Sequence, residues 1–252
     1  VGGVNTVKND SFGVLTINGG NFSNTAQYVI MNWNKAEITA GTFQTLDTAS
    51  AVLFTSAYDD DADTIGELSI SGGEFKHASD TQEMIVDHYD ASNSGTAAVT
   101  GGRFDADISK YIPSDYVQSA DGTVEKLGET NAVAKVDDTY YKTLAEAVAA
   151  ADNATVTLLK DVTEDVTIPA DKTMTLDLNG KKLTNADGQD TITVALGASL
   201  TVTGSGTVDN VTHGKAAIYN NGTVILNGGS YTRSAEASTS IKDANGNSYY
   251  NI

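Results

Sequence analysis

Cysteine is absent from the chain. That excludes disulfide staples, thiolate metal sites and cysteine nucleophiles, though it identifies no compartment. Positive charge is scarce too, with 15 Lys+Arg against 33 Asp+Glu and a formal net charge of -18. Such a surface repels phosphate backbones and anionic lipid heads, and no basic patch interrupts it, so nucleic acid is not an expected partner. Long apolar runs are missing as well. The longest stretches are a handful of residues, far short of the roughly 20 that span a bilayer, so no membrane insertion of this segment is expected. No signal peptide opens the chain, which reads Val1 as something other than a native start. The 252 residues allow one or two domains of ordinary size.

What the sequence does have is repetition. Leu15-Thr16-Ile17-Asn18-Gly19-Gly20-Asn21-Phe22 recurs as Ala36-Glu37-Ile38-Thr39-Ala40-Gly41-Thr42-Phe43 and as Leu68-Ser69-Ile70-Ser71-Gly72-Gly73-Glu74-Phe75. It returns as Ala97-Ala98-Val99-Thr100-Gly101-Gly102-Arg103-Phe104 and as Val224-Ile225-Leu226-Asn227-Gly228-Gly229-Ser230-Tyr231. Each copy is an alternating strand, a small-residue corner and an aromatic that re-enters the core. The first four copies are spaced by 21, 32 and 29 residues, the range of a solenoid coil of about three short strands with loops of variable length. Like residues at equivalent corners would form ladders, and Asn18, Asn227 and Asn179 are candidates for one of asparagine; a plain turn preference explains them equally well.

The middle of the chain departs from the repeat. Tyr111-Ile112-Pro113, Tyr116-Val117-Gln118 and an Asp121-Gly122 turn before Thr123-Val124 predict a hairpin that closes a first stack. Gly128 to Ala132 reads as a linker. Ala134-Lys135-Val136 and Thr139-Tyr140-Tyr141 predict a second hairpin about Asp137-Asp138, and Thr143 with Glu146 makes a capping box for an alanine-rich helix. Strands of a second stack follow from Val156. The expected fold is therefore all-β: a right-handed parallel β-helix solenoid in two stacks, residues 1–127 and 133–252, with one short capping α-helix.

From Val136 through Leu183, the Thr143-Leu144-Ala145-Glu146-Ala147 helix, the Thr167-Ile168-Pro169-Ala170 turn and Leu176-Asp177-Leu178-Asn179-Gly180 resemble the opening of pectin-lyase-like parallel β-helix domains in large surface proteins of anaerobic gut bacteria. The Gly-Gly-x-Phe coils and the 111–124 segment resemble the ends of the same domains. Together these likenesses cover nearly the whole chain. The resemblance implies an extracellular place at the bacterial cell surface and says little about activity.

An enzyme on such a scaffold would need carboxylates gathered on one face, often with Ca²⁺, and a basic residue to move a proton. Tyr58-Asp59-Asp60-Asp61-Ala62-Asp63 is the densest acidic run, and Asp59, Asp61 and Asp63 are candidate Ca²⁺ ligands. The run lacks the glycine and distal glutamate of an EF-hand loop, so a solvated loop without any cofactor is the plainer reading. Asp161, Glu164 and Asp165 form a second cluster. Of His77, His88 and His213, only His88, between Asp87 and Asp90, has neighbouring carboxylates. No nucleophile elbow is visible. Among aromatics, Phe22, Phe43, Phe75 and Phe104 read as a stacked core, whereas Trp33, Tyr58 and Tyr89 are candidate exposed rings for binding a sugar.

These readings make the chain a non-catalytic stalk or adhesive module, with a host glycan or glycoprotein as the expected ligand. A polysaccharide lyase or hydrolase on the same scaffold is the alternative. Val7-Lys8-Asn9 before Leu15 resembles Ile218-Tyr219-Asn220 before Val224, so both chain ends fall inside repeats. Residues 1–14 and 249–252 are accordingly expected to adjoin further tandem domains or to meet another copy of the chain head to tail.

Overall fold

A computed structural model describes residues 4–46, 51–57, 65–79, 82–90 and 92–234. Two compact units divide the chain, Val1–Lys126 and Leu127–Ile252. Both are mostly β with extensive parallel pairing, and the described residues hold one short α-helix, in the second unit, as the all-β expectation requires.

In the first unit, β1 (Val7–Asn9), β3 (Ile30–Asn32), β5 (Leu53–Thr55) and β7 (Ile85–Val86) form one parallel sheet. The longer β2 (Val14–Asn24), β4 (Lys35–Thr45), β6 (Glu67–Lys76) and β8 (Thr96–Phe104) form another. Each repeat contributes one strand to each sheet, so every strand pairs with its counterpart one repeat on. The register carries the sequence motif: Ile17, Ile38, Ile70 and Val99 align, as do Phe22, Phe43, Phe75 and Phe104. Alternation turns these residues inward. The phenylalanine rings stack with centroids 5.0, 4.8 and 4.4 Å apart and planes within 7° of parallel.

Between strand and aromatic, β2, β6 and β8 turn a corner at a glycine pair and β4 turns it at Ala40-Gly41. Gly102 lies at φ 98°, and a Cβ on Gly101 would land on the Ser71 carbonyl oxygen of the neighbouring repeat. Any other residue there would push adjacent repeats apart. After β8, a 3-10 turn at Ser109–Tyr111 leads into the antiparallel hairpin of β9 (Tyr116–Gln118) and β10 (Val124–Lys126). This segment follows the last phenylalanine: Phe104 N donates to Gly122 O, and Ile108 and Val124 join the core.

An asparagine ladder forms, but not where the corner residues suggested. Asn18 aligns with Ala40, and its Oδ1 accepts from Thr39 Oγ1 at 2.7 Å, so no second amide faces it. Asn179, at φ 47°, donates to Leu158 O instead. The ladder runs at the ends of the short strands, where Asn9 Nδ2 donates to Asn32 Oδ1 at 2.7 Å and Asn32 Nδ2 donates to Thr55 Oγ1 at 3.1 Å. Alternation buries these side chains, and the ladder satisfies amides that would otherwise cost free energy.

The second unit starts with a turn at Gly128, whose carbonyl accepts from Ala132 N. The hairpin of β11 (Ala134–Val136) and β12 (Thr139–Tyr141) then leads into α1 (Leu144–Ala150), whose capping box is complete. Glu164 accepts from Leu144 N and Ala145 N at the start of α1, and Lys172 Nζ donates to Val148 O, Ala149 O and Ala151 O at its end. The strands β13 (Thr155–Leu158), β14 (Val162–Thr163), β15 (Val166–Ile168), β16 (Thr173–Asp177), β17 (Lys182–Thr184), β18 (Ile192–Val194), β19 (Ser199–Asn210), β20 (Ile218–Asn220) and β21 (Thr223–Arg233) pair in parallel with one another. Leu144, Ala147 and Val148 cover the start of their core.

Candidate functional site

Trp33 follows β3 on a two-residue turn into β4, and its ring is not open to solvent as the polar neighbours Asn32 and Asn34 suggested. It is 5% exposed, with Phe54 4.9 Å and Tyr89 5.7 Å from it, both edge to face. Tyr89 is the exposed member of the trio, at 65%. The fold thus brings together two of the three candidate rings and, of these two, offers Tyr89 to a ligand. The third, Tyr58, and the candidate ligands Asp59, Asp61 and Asp63 lie outside the described residues, as do 249–252.

Among the described residues no three His, Asp or Glu side chains gather as metal ligands. The second acidic cluster is dispersed to separate tasks. Asp161 accepts from Lys182 N, Glu164 holds the start of α1, and Asp165 accepts from Ala186 N and Asp187 N. Each carboxylate serves a backbone amide of a neighbouring segment, which is why neighbours in sequence do not share a face.

Several polar side chains gather where β7 meets the 3-10 turn. A depression of about 350 Å³ is lined there by Glu83, Met84, Ile85, Ile108, Lys110 and Tyr111, with His77 and Asp107 at its margin. Lys110 Nζ pairs with Asp87 Oδ2 at 2.8 Å, and His88 Nδ1 sits 3.2 Å from Asp87 Oδ1. Tyr111 donates its hydroxyl proton to Ile85 O at 3.0 Å, with the Lys110 ammonium 5.1 Å from its ring centre. His77, its ring 5% exposed, lies 2.8 Å from Asp105. The Asp87–His88 pairing was visible in the sequence. Lys110, Tyr111 and the His77–Asp105 contact were not, because they come from segments more than 20 residues away and carry no motif.

The electrostatics of this cluster are those of a closed network. Burial pushes the Asp87 carboxyl up, but hydrogen bonds from Lys110 and His88 outweigh it and hold the group below its ordinary value. The Asp87 hydrogen bond raises Lys110, and burial followed by the Asp87 charge raises Tyr111. A general base for proton abstraction needs a pKa near the working pH. Here the amine and the phenol both move away from neutrality and keep their protons.

Hydrogen bonds tie the described residues after Asp87 to one another. Asp90 accepts from Ser92 N and Asn93 N, and Tyr89 N donates to Asn93 O. The Tyr89 backbone is therefore bonded to Asn93 while its ring is exposed. Comparison with known family models, with curated proteins and with solved structures returned no match for this chain.

Proposed function

We propose that the chain forms two right-handed parallel β-helix stacks of the pectin-lyase-like kind and serves as a non-catalytic stalk or adhesive module at the extracellular surface of a bacterium. The parallel register of both units supports the stacks, and parallel crossovers are right-handed in nearly all proteins. One observation supports a non-catalytic role above others: Asp87 and Lys110 are paired with each other, Tyr111 is held on the Ile85 carbonyl, and all three are shifted away from neutral pH. A host glycan or glycoprotein is the proposed ligand, with Tyr89 as the contact ring.

The test is a glycan-array screen beside elimination and hydrolysis assays on pectin, alginate and mucin glycans, with and without Ca²⁺. No turnover is expected, and Tyr89→Ala should weaken any sugar binding by about tenfold. Turnover that Asp87→Ala or His88→Ala abolishes would overturn the reading in favour of an enzyme.

A further inference from the structure

Each unit leaves one side of its parallel sheets bare among the described residues. In the first, β1 and β2 pair only with β3 and β4; in the second, β20 and β21 pair only with β18 and β19. The two bare edges are of opposite kind. Repeats advance along the chain from β2 to β8, so the free edge of β2 is the one a preceding repeat occupies. The free edge of β21 is the one a following repeat occupies.

The edges also match in sequence and chemistry. Val224, Leu226 and Tyr231 occupy in their repeat the places of Leu15, Ile17 and Phe22. Leu226 is 41% exposed although Val202, its partner one repeat back, is fully buried. Of the large exposed apolar side chains, Val4, Phe12 and Val14 lie in or beside β1 and β2, and Tyr219, Ile225 and Leu226 in β20 and β21. In a chain of net charge -18, neither β2 nor β21 carries a single carboxylate, so an edge-to-edge contact meets no like-charge repulsion. Proline, one device that blunts an edge strand, is absent from both, and the only charged side chain on either is Arg233 at the last position of β21.

We propose that β20 and β21 of one copy dock in parallel on β1 and β2 of a second copy, with Val224 over Leu15, Leu226 over Ile17 and Tyr231 over Phe22. Asn220 then meets Asn9 and lengthens the ladder in the direction in which Asn9 Nδ2 already donates to Asn32 Oδ1. Like Asn32, Asn220 accepts with its Oδ1 from the amide two residues on, so its side chain is held in the same turn. The contact is heterologous: each copy keeps one used and one free edge, and repetition gives a filament unless the rotation closes a ring. The inference rests on the stacked-repeat part of the proposed function and is independent of its surface role.

The cysteine-free chain makes the register testable by cross-linking. Adjacent parallel strands place paired Cα atoms about 4.8 Å apart, within disulfide reach, whereas a shift of two residues along one strand gives about 8 Å and lies beyond it. Chains carrying Thr16→Cys, mixed with chains carrying Ile225→Cys and oxidised mildly, should cross-link about tenfold more than a mixture of Thr16→Cys with Asn227→Cys. Ile225→Lys, at a solvent-facing position, should leave the circular dichroism unchanged and abolish association. Within one chain, Thr16→Cys with Glu37→Cys reports the stacking itself, since these residues are register partners. If that intrachain bond forms and the intermolecular one does not, the docking is wrong and the stack stands; if neither forms, the stacked repeats fail as well. A chain that stays monomeric at high concentration, its β21 edge covered by its own residues beyond Ser234, would also overturn the proposal.

Discussion

Asp209 shows what one side chain does in this scaffold. It lies on β19 with its carboxylate 1% exposed, 2.7 Å from Lys182 Nζ, and it accepts from Thr232 Oγ1, Ser234 N and Ser234 Oγ. Burial raises its pKa, but the hydrogen bonds from Lys182, Ser234 and Thr232 win and lower it to about 2. Because the folded value lies below that of a free carboxyl, the stabilisation is complete above pH about 4 and is lost as the pH falls toward 2. The lowering corresponds to about 2 kcal/mol. Asp209→Asn should therefore lower the urea stability of the second unit by about that much at pH 7 and flatten its dependence on pH between 4 and 2. Nothing near Asp209 in the sequence announces this role, since its partners lie more than 20 residues away on both sides.

The ladders and the helix are the elements most open to test. Phe75 is fully buried between two rings, whereas Phe22 has a ring on one side only among the described residues. Phe75→Ala should cost about 3–5 kcal/mol in denaturant unfolding, and Phe22→Ala distinctly less. Helix α1 has only seven residues and would not persist alone. Glu164 at its amino end and Lys172 at its carboxyl end complement its dipole, so Glu164→Gln or Lys172→Met should each destabilise the second unit by about 1 kcal/mol, read from its urea midpoint. The capping box, both hairpins and the phenylalanine stack were legible in the sequence because each is a local pattern or a strict repeat. The asparagine ladder was not. Asn9 and Asn32 sit outside the Gly-Gly-x-Phe motif, and their alignment depends on strand register, which the repeat spacing of 21 to 32 residues leaves open.

At the scale of the molecule, charge is the property most directly tied to partners. Residues 1–126 carry 6 basic and 18 acidic side chains, and 127–252 carry 9 and 15. Sulfated glycans should therefore fail to bind without added divalent cation, even at low salt, as surface plasmon resonance can show. Of the candidate site, the sequence exposed the aromatic and acidic residue types, but burial decides which ring faces solvent, and burial follows from neighbours far along the chain: Trp33 is enclosed by Phe54 and Tyr89. The glycine corner has a consequence for how such a chain changes over generations. With Gly101 against the Ser71 carbonyl, that corner sets how closely β8 approaches β6. The connections from short to long strand differ in length, spanning residues 33–34, 56–66 and 87–95 in successive repeats. Residues can be inserted or deleted in those connections without disturbing that approach, whereas one residue added between Ile70 and Phe75 would move Phe75 out of register with Phe43 and Phe104. The strand register and the stacked rings thus stay the same from repeat to repeat while the length of the connections changes.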